Sequence, residues 1–188
     1  MTNWQIPVKT EHMKKEFNHK PSMEYAKDIH RVASLMPKNF TALEIGGAWG
    51  FSTLAILEAG AKHLTTVDPN VMAEAENEAK ASGYTNHAWT CQRSDNFFDE
   101  NKDVKFDLIY VDGSHLYRDV VNDLYEAWKR LNSPGMLLID DWEHKKNIKA
   151  EGDISEYGVS LACFEFWRDH HNEINAVDID GRVLWFSK

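Results

Sequence analysis

Apolar and polar positions along the chain fall into two alternating rhythms. Short apolar, β-branched runs end abruptly in an acid or a glycine at Leu43-Glu44-Ile45, His63–Val67, Phe106–Val111 and Met136–Ile139, and a further run, His87–Gln92, ends in the polar Arg93-Ser94-Asp95-Asn96. Between them the apolar positions repeat with helical spacing. Met23, Ala26, Ile29, Val32, Ala33 and Met36 form one such stripe, opened by Pro21-Ser22 as a cap and closed by Pro37. Ser52–Ala59, stopped by Gly60, and the alanine- and glutamate-rich Asn70–Ser82, stopped by Gly83, are predicted as two more helices. Val120, Val121, Leu124, Ala127, Trp128 and Leu131 give another, which runs on toward Pro134-Gly135.

Strands that alternate with helices at this spacing predict βαβ crossovers and a parallel sheet covered on both faces. The tail departs from that rhythm. Val159–His170 reads as a helix, and Ile174–Ile179 and Arg182–Phe186 as a hairpin turning at Asp180-Gly181. The expectation is an α/β, Rossmann-like doubly wound sheet, mostly parallel, with an antiparallel C-terminal hairpin. The 188 residues read as a single domain, residues 1–40 being an N-terminal arm and packing helix. Arg93-Ser94-Asp95-Asn96 reads as a polar loop and Glu143–Tyr157 as a mobile surface loop.

Charge and cysteine content narrow the function classes. A net charge of -9 repels phosphate backbones and anionic bilayers, so neither nucleic acid nor membrane is an expected partner. Cys91 and Cys163 have no CxxC spacing, which argues against a disulfide framework or a cysteine zinc site. The first residues lack the pattern of a signal peptide, and no apolar run reaches the length of a membrane span. A cytoplasmic protein is expected, and the chain is compatible with a homo-oligomer.

The chemistry collects where strands end. Glycines at 46, 47 and 50 let the backbone turn sharply beside a ligand, and the helix opening near Ser52 and Thr53 presents free N–H groups. Glu44, Asp68, Ser94-Asp95, Asp112 with His115, and Asp140-Asp141 all sit at or just past strand ends. In an open parallel sheet those ends share one rim, where ligands bind at the topological switch point. Asp68, about 20 residues past the glycine turn, is placed for ribose hydroxyls, with Ser94 and Asp95 for an adenine edge. Asp112, Asp140 and Asp141 would repel one another unless a cation holds them, and hard oxygen ligands suit Mg²⁺ better than zinc. His115, three residues past Asp112, is a candidate base. His30, His144 and His170-His171 read as surface or capping residues, while Trp49, Trp142 and Tyr117 flank the rim.

The segments Glu44–Gly50, Asp68 and Asp107–His115 resemble the class I S-adenosylmethionine-dependent methyltransferases. They are most similar to the small O-methyltransferases of the catechol, macrolide-sugar and cephalosporin-biosynthesis type. The resemblance spans about residues 40 to 142. Its glycine pattern is acid-x-Gly-x-Gly-x-Gly, and Ala48 stands here at the middle glycine. The resemblance implies S-adenosylmethionine held by Glu44, Gly46, Gly47, Ala48, Gly50, Ser52, Thr53, Asp68, Ser94 and Asp95. It also implies Mg²⁺ held by Asp112, Asp140 and Asp141, with His115 and Asp112 as catalytic groups and a small-molecule hydroxyl as methyl acceptor. Two alternatives stand beside it: an NAD-dependent oxidoreductase, disfavoured by the Gly46-x-x-x-Gly50 spacing, and a non-catalytic S-adenosylmethionine-binding protein.

Overall fold

The computed structural model describes residues 25–70, 73–143 and 158–188. Seven strands form one sheet: β1 (Phe40–Ile45), β2 (Ala61–Val67), β3 (His87–Thr90), β4 (Phe106–Val111), β5 (Leu131–Ile139), β6 (Ala176–Asp180) and β7 (Val183–Ser187). The helices are α1 (Tyr25–Ala33), α2 (Phe51–Glu58), α3 (Ala73–Ala81), α4 (Ser94–Glu100), α5 (Tyr117–Arg130) and α6 (Val159–His170). Spatial order is β3-β2-β1-β4-β5-β7-β6. The pairs from β3 through β5 are parallel, whereas β7 runs antiparallel to both β5 and β6. This is the doubly wound architecture that the periodicity predicts, with the strand order reversing between β1 and β4.

Because the central strands are buried on both faces, Leu108–Val111 of β4 and Met136–Ile139 of β5 read as continuous apolar runs. One layer of core packs Ile29, Val32, Leu54 and Ile56 of α1 and α2 against Ala42, Leu108, Tyr110 and Leu138. The opposite layer packs Leu124, Trp128, Ala162 and Phe166 of α5 and α6 against Leu43, Ile109, Leu137 and Phe186. Phe166 is fully buried, with its ring stacked on His170 and edge-on to Trp128. Among the described residues no helix is long and apolar enough to cross a membrane.

Several element bounds differ from the sequence expectation: α1 ends at Ala33, short of the Pro37 expected to close it, and β6 begins at Ala176 rather than Ile174. Ser94–Glu100 is a helix, not a polar loop: Phe97 and Phe98 bury against the sheet, and Asp95 sits in the first turn, where the helix dipole favours an acid. The helix α5 ends at Arg130, and Leu131 already belongs to β5, paired with Phe106 across a register shift. β5 thus pairs with β4 on both sides of Pro134-Gly135, at Leu131 and again from Met136, where sequence punctuation alone reads a break. The third strand stops at Thr90, two residues short of the predicted end. The Ser22 cap and the loop following Glu143 lie outside the described residues.

Phe166→Ala should cost about 3–5 kcal/mol, the usual range for emptying a buried aromatic site. Urea unfolding followed by circular dichroism measures this, and a loss under 1 kcal/mol would mean that α6 is not part of the cooperative core.

Candidate active site

The β1–α2 turn is shaped by close approach. Gly46 has φ +86°, and a Cβ there would lie 2.1 Å from the carbonyl oxygen of Asp112, so only glycine lets the ends of β1 and β4 meet. The Asp112 N–H donates to the Ile45 carbonyl at 2.8 Å and locks that meeting. Gly50, with φ +81°, forms the N-cap of α2. Ala48 also takes a left-handed conformation, φ 38°. It stands where the resembling pattern has glycine, and the loop keeps the backbone shape at the steric cost of one methyl group. The Ala48 N–H donates to Asp68 Oδ2 at 3.0 Å, while Asp68 Oδ1 accepts from the Asn70 N–H at 2.8 Å. The acid after β2 is therefore tied to the glycine turn 20 residues earlier.

These elements enclose a crevice of about 460 Å³ whose wall includes Gly46, Ala48, Asp68, Ser94, Asp112 and His115. The expected residues thus fall in several places. Gly46, Ala48, Asp68, Ser94, Asp112 and His115 face one cavity. Glu44, Gly47, Gly50, Ser52 and Thr53 stand behind it. Glu44 is fully buried and accepts hydrogen bonds from the hydroxyls of Thr53 and Thr66, each at 2.6 Å. Burial pushes its carboxyl up to about 7 against the pull of those hydroxyls. It ties β1, α2 and β2 together beneath the turn. Asp95 lines a smaller adjoining pocket of about 240 Å³, with Arg93, Asp119 and Asp123.

Sequence reading misses Arg93, Asp119, Asp123 and Arg182. Arg93 pairs with Asp95 at 3.3 Å and reaches Asp119 at 3.7 Å. Asp123, on the inner face of α5, is 1% exposed; it bonds the Ser94 hydroxyl, and its Oδ1 has no partner among the described residues. Desolvation lifts its carboxyl to about 7. An acid at an apolar position of the α5 stripe is the sequence signal that could have found it.

The acids after β4 and β5 do converge, as the sequence requires. His115 Nε2 stands 3.5 Å from Asp112 Oδ1 and 3.2 Å from Asp141 Oδ2, so one cation spans both. Those two carboxylates raise the imidazole to about 9, which leaves it protonated at neutral pH. Arg182 Nη2 sits 3.1 Å from Asp140 Oδ2 and also bonds Asp141 Oδ1. Asp141 is itself held in a left-handed conformation, φ 54°. The charge that the sequence assigns to Mg²⁺ is therefore met by His115 and Arg182. Among the described residues no group of three His, Cys, Asp or Glu side chains is arranged to hold a metal ion. The donor set does not fit a preformed divalent site, because Asp140 and Asp141 spend oxygens on a guanidinium.

A profile of a methyltransferase-domain family matches residues 43–142, more than half of the chain, from within β1 through the end of β5. The chain belongs to that methyltransferase family. Solved structures share the fold across nearly the full length. The O-methyltransferase TomG from Streptomyces achromogenes, in complex with SAM, aligns with TM-score 0.70 at 15% identity, covering 97% of this chain and 91% of that one. An O-methyltransferase from Bacillus cereus in complex with SAH gives 0.71 at 10% identity, covering 97% and 93%. The N-methyltransferase NodS from Bradyrhizobium japonicum WM9 gives 0.63 at 16% identity, covering 89% and 96%. No curated protein matches the sequence. With a methyltransferase family established, the nicotinamide-dependent oxidoreductase falls away.

Asp123 yields a pH test with a definite sign. Its folded value of about 7 lies above the ordinary 3.8, so the folded chain holds the proton more tightly than the unfolded chain does. Stability from this group is present at low pH and lost as pH rises from about 4 to about 7. Asp123→Asn should therefore gain stability over the wild type at pH 8 relative to pH 5. Urea unfolding at the two pH values measures the difference, and an equal offset at both would contradict the assignment.

Proposed function

We propose that the protein transfers the methyl group of S-adenosylmethionine to a hydroxyl of a small molecule. The observation that carries this reading is the crevice at the β1/β4 switch point, where a cofactor-sized cavity opens onto the His115 carboxylate cluster. The Gly46–Gly50 turn would receive the methionine portion, with Glu44 beneath it as a buried anchor. Asp68 would accept the ribose hydroxyls, and Ser94, backed by Asp123, would meet the adenine edge. The fold likeness to SAM- and SAH-bound O-methyltransferases supports this choice of cofactor.

The reaction is an in-line displacement. The acceptor oxygen forms a bond to the sulfonium methyl carbon, the carbon–sulfur bond breaks, and its electron pair stays on sulfur to give S-adenosylhomocysteine. The chain has two tasks: to align the oxygen with the methyl group and to make that oxygen more anionic. His115 lines the crevice and carries positive charge beside it, which favours a developing alkoxide or phenolate. The hydroxyl proton passes to the Asp112 carboxylate on the crevice wall, because His115, the base expected from the sequence, already carries its proton. Catalysis in this reading rests on these residues, and no step runs through a metal.

Two measurements test the reading. Calorimetry should show S-adenosylhomocysteine binding that Asp68→Ala weakens roughly ten- to a hundredfold, as expected for losing hydrogen bonds to a charged acceptor. Incubation with S-adenosylmethionine and a panel of phenols, sugars and amines, read by mass spectrometry, should show methylation on oxygen. His115→Ala should lower kcat by about 10²–10⁴ with little change in S-adenosylhomocysteine affinity. Methylation confined to amines would overturn the choice of acceptor, and NAD binding in place of S-adenosylhomocysteine would overturn the cofactor.

A further inference from the structure

The cation that meets the β5 acids comes from an element outside the family-matched segment. Arg182 is the first residue after the Asp180-Gly181 turn between β6 and β7. That turn is gripped by α1. Arg31 bonds both carboxylate oxygens of Asp180, and it reaches Asp28 at 2.8 Å. Asp28 Oδ2 in turn accepts the Arg182 backbone N–H at 3.4 Å. A Cβ on Gly181 would lie 2.0 Å from that same oxygen, so the carboxylate packs into space that only glycine leaves free. The guanidinium lies 5.4 Å over the ring of Tyr25, also on α1, and reaches across to Asp140 and Asp141. The residue is thus held at its backbone N–H and at its guanidinium.

We infer that Arg182 occupies the cation position of the acid cluster, so that Asp140 and Asp141 are held together without a divalent ion. Both oxygens of Asp141 are spoken for, Oδ1 by Arg182 and Oδ2 by His115 at 3.2 Å. Mg²⁺ demands an octahedral set of oxygens at about 2.1 Å. With Arg182 and His115 engaging both oxygens of Asp141 and Oδ2 of Asp140, the pair leaves only the buried Asp140 Oδ1 without a partner among the described residues. A guanidinium is planar and permanently charged, and its N–H groups address two carboxylates at once, so it substitutes for the charge of a metal without its coordination geometry. The clamp of α1 on the β6–β7 turn decides the competition, because it brings Arg182 to the acids already oriented. A chelator should leave such an enzyme intact. The inference goes beyond the methyl-transfer reading, and it can fail or hold independently, since metal binding is measured with neither cofactor nor acceptor present.

The test is a Mg²⁺ titration of the full chain after EDTA treatment, by calorimetry and by thermal melting. The wild type and Arg182→Lys should give no binding heat and an unchanged Tm. Arg182→Met leaves the acids uncompensated and should acquire a Mg²⁺ response, a Tm rise of roughly 5–10 °C at a hundredfold excess over its Kd. Stoichiometric Mg²⁺ binding to the wild type would overturn the inference, and so would an Arg182→Met chain that folds and ignores Mg²⁺. Should that variant not fold, the wild type and Arg182→Lys still decide the matter: silence toward Mg²⁺ supports the inference and binding overturns it.

Discussion

Everything at the working edge of this protein follows from gathering carboxylates where a parallel sheet ends. The strand ends place Asp68 and Asp112 on the wall of one crevice, with Asp141 joined to it through His115 and Asp140 through Arg182. Acids so placed repel one another unless each finds a partner. The fold supplies those partners in three different ways. Backbone N–H groups of Ala48 and Asn70 hold Asp68. The imidazole of His115 spans Asp112 and Asp141. The guanidinium of Arg182 meets Asp140 and Asp141. Remove any of these and the acids beside the crevice carry uncompensated charge.

Much of this was legible in the sequence because it is local. Strand-ending acids, glycines at fixed offsets and helical stripes are patterns within windows of a dozen residues, and they recover the sheet, its crossovers and part of the crevice wall, Gly46, Ala48, Asp68, Ser94, Asp112 and His115, but not Arg93 or Asp119. The α4 helix escaped because four polar residues outweighed the two phenylalanines behind them, although Phe97 and Phe98 carry the burial. The start of β5 escaped for the opposite reason: pairing with Phe106, a contact distant in sequence, overrides the punctuation of Pro134-Gly135.

The site was legible as a list of residues but not as a set of roles. Nothing in Glu44-Ile45-Gly46 reveals that Glu44 points away from the crevice into the hydroxyls of Thr53 and Thr66. Periodicity also cannot show that a residue after the last hairpin turn returns to the acids 41 positions earlier. Acids in a row suggest a cation, and electrostatics demands one. Which cation answers is decided by the packing of α1 on the β6–β7 turn, a tertiary fact without a local signature. Family membership, drawn from residues 43–142, likewise stops short of Arg182.

The central claim is that the β1/β4 crevice holds the S-adenosyl cofactor, and it is tested most directly by backbone amide NMR of the chain titrated with S-adenosylhomocysteine. The account predicts saturable shifts at Gly46, Ala48, Asp68, Ser94 and Gly113, with the amides of β6 and the outer face of α6 unmoved. Saturable shifts centred elsewhere, with the Gly46 and Asp68 amides silent, would contradict it.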